Sequence, residues 1–309
     1  MIFAKLLSLA IFGLVTSVIF INSYLYLNQD NFIFVKEKLD PKRVQPRGDN
    51  YENVSIKTED GFMHQCWYVK AEDHEKKPVI LYFQGNGGYL EKYVKLFDMI
   101  NKRVGANVFS CTNRGCGTNT EEPSEEFFYK DAQLYLNHLK EKKMKHIFLF
   151  GSSMGCAVAI ETATKNLDDV TGVIVQNPFL SMKKMAKHKR PILFFFLFSY
   201  DLLVRTKMKN EEKIKKVNIP MLFNVSEKDE MIPPEHGKTL YELCPSKHKS
   251  LFLSKDGTHN NILINDDGAY HRSMKTFIET AIAIKDAKEE KEKNNGEGIG
   301  KGKEDGPQA

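Results

Sequence analysis

The apolar run Ile147 to Phe150 leads directly into Gly151-Ser152-Ser153-Met154-Gly155 and then into a second apolar stretch that begins near Cys156. A serine between such glycines, at a sharp turn from strand to helix, has its hydroxyl lifted above the sheet edge. The next amide, here that of Met154, then points to where an oxyanion would form. The pentapeptide also fits an ordinary turn or helix cap, but its place after a buried strand favours chemistry. A serine hydroxyl is a weak nucleophile at neutral pH and requires a base, which in turn requires an orienting residue. Both follow in the order serine, acid, histidine. The run Met221 to Val225 precedes Ser226-Glu227-Lys228-Asp229-Glu230-Met231-Ile232-Pro233, and Leu251 to Leu253 precedes Asp256-Gly257-Thr258-His259-Asn260. Asp229 and His259 are therefore expected in loops just beyond strand ends, where catalytic groups of open α/β sheets gather. His259 would take the Ser153 proton and return it to the leaving group, while Asp229 would hold the imidazole tautomer and stabilise the imidazolium. The competing readings are a surface histidine at 259 and solvated charges at Glu227, Asp229 and Glu230. Asp256 would have to bend back along its own loop to reach His259, so Asp229 is preferred. His236 falls inside a predicted helix and is assigned to a solvated face.

A second oxyanion donor should come from the loop after the third strand, which reads Phe83-Gln84-Gly85-Asn86-Gly87-Gly88. Glycines let backbone amides approach a reacting carbonyl, so the amides around Asn86 and Met154 are assigned to the hole. The alternative is a glycine-rich capping turn; a phosphate cradle is disfavoured because no Gly-Lys-Ser/Thr follows.

These loops need a sheet to hold them. From Pro78 onward, short apolar runs alternate with helix-length amphipathic stretches: Val79 to Phe83, Asn107 to Cys111, Ile147 to Phe150, Val173 to Gln176, Met221 to Val225 and Leu251 to Leu253. That alternation predicts an α/β fold with a mostly parallel sheet covered on both faces. Ahead of it, residues 54–57 and 63–69 around Thr58-Glu59-Asp60-Gly61 read as an antiparallel entry hairpin. An insertion at about 177–219, mainly helical, is placed as a small cap. In it Lys183, Lys184, Lys187, Lys189 and Arg190 precede Pro191-Ile192-Leu193-Phe194-Phe195-Phe196-Leu197-Phe198. This run is too short to span a bilayer; it suits a cap core or a surface that meets lipid, and Phe194, Phe195 and Phe196 are assigned to acyl-chain binding.

The chain has 309 residues, 41% hydrophobic and 28% charged, which bounds it to one sizeable catalytic domain. The charge of +5 comes from lysines scattered among glutamates, which argues against a nucleic-acid partner. Five cysteines, Cys66, Cys111, Cys116, Cys156 and Cys244, lack the paired spacing of metal or redox motifs, and no bridge is inferred from them. No residue from Leu6 to Leu27 is charged, enough helix to reach roughly 30 Å. Bulky residues continue past the length of a cleavable signal, so an uncleaved signal-anchor over 1–28 is expected. Lys36, Lys38, Lys42, Arg43 and Arg47 follow it, against Lys5 and the amino terminus before it, which by charge puts the domain on the cytoplasmic side. The hydrolytic core is assigned to 29–286 and a disordered Glu/Lys/Asn/Gly tail to 287–309.

The sequence resembles the alpha/beta hydrolase domain-containing protein 13 type of membrane-anchored serine hydrolase, from the anchor to about Ile284. The resemblance rests on Phe83-Gln84-Gly85-Asn86-Gly87-Gly88, Asn113-Arg114-Gly115-Cys116-Gly117, Pro123-Ser124-Glu125-Glu126, Gly151-Ser152-Ser153-Met154-Gly155, Tyr241-Glu242-Leu243-Cys244-Pro245-Ser246 and Asp256-Gly257-Thr258-His259-Asn260. It implies the α/β-hydrolase fold, a triad of Ser153, Asp229 and His259, one N-terminal span, and neither cofactor nor metal. It also implies a domain facing the lumen or exterior, against the charge argument. Gln84 stands where the family usually has His; a Gln can still hydrogen-bond to shape the loop. The expected activity is cleavage of an ester or thioester on a lipid or lipidated protein, of palmitoyl-protein thioesterase or lysophospholipase/acylglycerol lipase type. The setting would be the endoplasmic reticulum or plasma membrane, with the lipid bilayer as partner. A catalytically silent, membrane-tethered interaction module with the same fold is the alternative, and a peptidase a third reading.

Overall fold

The computed structural model describes residues 2–38, 48–117, 119, 121–189, 205–262 and 267–300. Among these residues, eight strands make one sheet: β1 (Tyr51–Lys57), β2 (Met63–Val69), β3 (Val79–Phe83), β4 (Asn107–Cys111), β5 (Ile147–Ser152), β6 (Val170–Gln176), β7 (Met221–Ser226) and β8 (Lys249–Ser254). Their order is β1-β2-β4-β3-β5-β6-β7-β8. β1 and β2 join antiparallel, β2 joins β4 antiparallel, and every later pairing is parallel. The chain steps outward from β3 to β4 and then crosses to β5 on the other side. The loops after β3 and β5 therefore open at the switch point, where ligands of such sheets bind.

Strand periodicity sorts side chains into two cores. Val79, Leu81 and Phe83 of β3 and Ile147 and Leu149 of β5 join one cluster with Phe128, Leu136, Ala157 and Ile160. Ile80, Tyr82, Phe148 and Phe150 point the other way, toward Phe97, Ile100, Met274 and Phe277. On the first face lie α3 (Glu125–Glu141) and α4 (Gly155–Lys165), reached after α1 (Ile2–Ile33) and α2 (Val94–Met99). Of the cap insertion, α5 (Met182–Lys189) and α6 (Asn210–Lys213) are described; residues 190–204, and with them Phe194, Phe195 and Phe196, lie outside the described residues. α7 (Pro234–Leu243) covers β7, and α8 (Ala269–Gly300) completes the second face.

One expectation changes, and one element runs on past a proposed boundary. Beyond residue 287, where the sequence gives a charged tail, α8 continues to Gly300. Its packed first half, with Met274 and Ala281 buried, supplies the nucleus. Lysine and glutamate one turn apart, such as Lys288 and Glu292 at 3.8 Å, sustain a helix that needs no buried face. Residues 301–309 lie outside the described residues. The change is a disulfide between Cys66 and Cys111, residues directly opposed across β2 and β4 with Cα atoms 3.9 Å apart. Strand register brings them together from a separation of 45 residues, which no local spacing reveals. The remaining three cysteines are free and buried. Replacing both Cys66 and Cys111 by Ala is expected to cost about 2–4 kcal/mol of stability. Trp67, the one tryptophan of the chain and buried on the other face of β2 from Cys66, reports the loss in urea unfolding. An unshifted midpoint would mean that the bridge does not form.

α1 is, among the described residues, the one helix long and apolar enough to cross a membrane, and its apolar side chains are exposed around its circumference. Beyond it the chain packs on the sheet domain: Phe34 is buried, edge-on to Phe128 at 5.3 Å.

Candidate active site

The turn from β5 to α4 is as sharp as the glycines demand. A Cβ on Gly151 would lie 2.2 Å from the Gly155 carbonyl oxygen, and one on Gly155 would lie 2.1 Å from that of Phe83. Ser153 sits at the apex with φ 53°, left-handed for a non-glycine residue and therefore strained. Its amide is fixed to the carbonyl of Gln176 at the end of β6 (2.9 Å). The next amide, Met154, enters the first turn of α4, where backbone N–H groups lack intrahelical acceptors. Cys156, just behind, is no rival nucleophile, since burial pushes its thiol far up and Sγ donates to the carbonyl of Gly151 (3.1 Å).

Ser153, Asp229 and His259 come together from three loops at the carboxyl edge. His259 Nε2 lies 3.1 Å from Ser153 Oγ, and Nδ1 lies 2.8 Å from Asp229 Oδ2. The other carboxylate oxygen of Asp229 accepts the amides of Met231 and Ile232, each at 2.8 Å. Asp229 is thus held at both oxygens, its side chain 1% exposed against 7% for His259. Glu230 is neither a rival acid nor idle. Its Oε2 accepts the His259 amide (3.1 Å), and the backbone amides of Glu230 and His259 hold its carboxyl below the usual carboxylate range. Asp256 instead pairs with Lys228 at 2.5 Å. His236 departs from its expected solvated face: it is half-buried, Nδ1 accepts the Leu180 amide at 3.3 Å, and burial lowers its pKa.

Sequence reasoning missed Asn177. Buried at the end of β6 with φ 50°, it accepts the Ser226 amide at Oδ1 (2.9 Å) and donates through Nδ2 to the His259 carbonyl (3.1 Å). One carboxamide therefore ties the acid's strand to the histidine's loop. The available signal was an Asn-Pro pair immediately after a strand, since Asn tolerates the left-handed region.

The loop after β3 abuts the turn: a Cβ on Gly85 would lie 3.5 Å from that of Ser153. Gln84 is buried below it and donates to Ser110 Oγ at 3.3 Å, so it shapes the loop by a hydrogen bond. The Asn113 carboxamide donates to the Gly85 carbonyl (3.3 Å). Arg114 beside it is buried, bidentate on Asp131 (2.8 and 2.9 Å) and paired with Asp60 (3.1 Å). This explains the Asn113 to Gly117 motif as the brace of the loop.

A serine on a strained strand-to-helix turn, with a histidine and a carboxylate in the following loops of a mostly parallel sheet, defines the α/β-hydrolase class. The family model described as serine aminopeptidase, S33, matches residues 74–208. An uncharacterized membrane protein of Saccharomyces cerevisiae is 32% identical over 71% of this chain and 77% of its own length. The protein bem46 of Schizosaccharomyces pombe is 30% identical over 74% and 76%, and the lysophosphatidylserine lipase ABHD12 of Danio rerio is 27% identical over 72% and 66%. Among solved structures, the Pyrococcus furiosus esterase Pf2001 superposes with a TM-score of 0.63 at 18% identity, covering 80% of this chain and 97% of that one. The chain belongs to the family of α/β-hydrolase domain-containing proteins.

Proposed function

We propose that this chain is a serine hydrolase that cleaves an ester or thioester through an acyl-serine intermediate. The observation that carries the reading is the unbroken line Ser153 Oγ, His259, Asp229, at 3.1 and 2.8 Å, set on a strained turn. Ser153 Oγ attacks the carbonyl carbon as His259 Nε2 takes its proton. The amides around Asn86 and Met154 receive the oxyanion. Collapse expels the alcohol or thiol, protonated by His259, and a water activated by the same imidazole releases the acid.

The substrate is a lipid or a lipidated protein. Support comes from the apolar helix α1, whose end packs beside the loop after β3, and from a relative that is a lysophosphatidylserine lipase. We divide the chain into an anchor through residue 28, a hydrolase domain over 29–286 and a charged extension beyond. The test is turnover of a palmitoyl thioester, a lysophospholipid, a monoacylglycerol and an aminoacyl amide by the full chain. Hydrolysis of the amide alone would replace this reading with a peptidase.

The hydrolase domain is proposed to face an oxidising compartment, the lumen or exterior. The cross-strand disulfide supports this, since such bridges persist there. The acceptor pattern Asn53-Val54-Ser55 lies exposed on the edge strand β1, whereas Asn224 in its own Asn-Val-Ser pattern is wholly buried. In eukaryotic membranes, Asn53→Gln is therefore expected to abolish a glycosidase-sensitive mobility shift that Asn224→Gln leaves intact. An unmodified Asn53 together with reduced cysteines would place the domain in the cytoplasm.

A further inference from the structure

The loop bordering Ser153 is held by residues outside the hydrolase sheet. After α1 ends, the chain runs past the loop that follows β3, and there the Asn86 side chain accepts the Val35 amide at Oδ1 (2.8 Å) and donates through Nδ2 to the Ile33 carbonyl (2.7 Å). One carboxamide thus pairs with the backbone on both sides of buried Phe34. Gly87 has φ 75°, and a Cβ there would come 2.9 Å from Val35 Cγ1. Farther on, the Glu37 carbonyl accepts the Gly117 amide (2.8 Å). The Glu37 carboxylate pairs with Lys92, whose ammonium also donates to the Gly87 carbonyl (3.3 Å). The root of the cap is tied to the same helix end, where the Arg205 amide donates to Gln29 and its guanidinium pairs with Asp30, each at 2.7 Å.

Asn86 and Gly87 follow Gly85, which abuts Ser153. A segment with glycines at 85, 87 and 88 has little stiffness of its own. Its placement must come from what it is bonded to. The amides in it are those assigned to the oxyanion, and an oxyanion hole works only when its donors are held before the charge develops.

We propose that the strap Ile33–Glu37 is a working part of the active site: through the Asn86 carboxamide it fixes the oxyanion loop, so catalytic competence is coupled to the seating of the membrane anchor. The Asn86 side chain is a positioning residue in this scheme, distinct from its backbone amide. The proposal rests on the serine-hydrolase reading and deepens it.

The experiment uses the full-length chain in detergent micelles, a short soluble nitrophenyl ester and a trifluoromethyl ketone, whose serine adduct carries an oxyanion. Asn86→Ala is expected to lower kcat about 10- to 100-fold, less than the roughly 10²–10³ that follows loss of a whole oxyanion donor. KM should hardly change, ketone affinity should fall by the same factor, and the Trp67 unfolding midpoint should hold. Val35→Pro, which removes the strap's donor to Asn86 and also the side chain that lies against Gly87, should reduce kcat in the same direction. The double variant should be no worse than the stronger single, as expected for two ends of one contact. A kcat within twofold of wild type in Asn86→Ala, or a lower kcat with unchanged ketone affinity, would overturn the coupling while leaving the active wild type as a serine hydrolase. A folded wild type with no turnover and no serine labelling would overturn the underlying reading, and the proposal with it.

Discussion

Ser153→Ala is expected to lower kcat toward acyl esters about 10⁵- to 10⁶-fold while leaving the fold intact, because it removes the hydroxyl proposed to attack. The hydroxyl is 3.1 Å from the His259 imidazole, and the neighbouring Cys156 thiol is buried and held protonated. Alanine adopts the same backbone without new contacts, so the strained turn loses one oxygen and nothing else. The pattern across variants is as informative as the size. Residues that act as one unit give non-additive losses, so Ser153→Ala combined with His259→Ala should be no slower than Ser153→Ala alone. A further drop in the double variant would mean that His259 serves a separate reaction. Steady-state kinetics on a nitrophenyl ester, with folded-protein concentration fixed by absorbance, checks both points.

Asp229→Asn is expected to cost about 10⁴ in kcat, roughly 5.5 kcal/mol of transition-state stabilisation. The carboxylate accepts from His259 Nδ1 through one oxygen and from the amides of Met231 and Ile232 through the other. An asparagine satisfies the two amides with its carbonyl and then turns its NH₂ toward Nδ1. The imidazole is driven to the wrong tautomer, with a proton on Nε2 where Ser153 needs an acceptor. KM should change little, since Asp229 is buried behind the histidine. Asp256→Asn, by contrast, weakens an exposed pair with Lys228 and should stay within twofold of wild type. The reverse ranking of these two variants would assign the orienting role to Asp256.

Most of the candidate site was legible because its members are announced by local pattern. The buried runs Val79–Phe83, Ile147–Phe150 and Met221–Val225 are strands in the structure, and each is followed at once by a loop that holds a candidate residue. Glycine spacing around Ser153 is legible for the same reason, as it answers a steric demand within five residues. What sequence reasoning missed is non-local. The disulfide depends on the register of β2 against β4, and the Asn86 clamp joins residues 51 and 53 positions apart. Asn177 reaches a carbonyl 82 positions away. His236 was placed on a solvated face because a short polar helix does not announce that a loop from the cap insertion will lie over it. The helical run past 287 is not announced by pattern either: low apolar content excludes a core, but it does not end a helix already nucleated.

Activation of Ser153 is checked by treating the purified full-length protein with a fluorophosphonate probe and mapping the modified residue by peptide mass spectrometry. A single adduct on Ser153 is expected, lost when the protein is unfolded beforehand and lost in His259→Ala. A folded protein that takes up no probe, or takes it up at another residue, would contradict it.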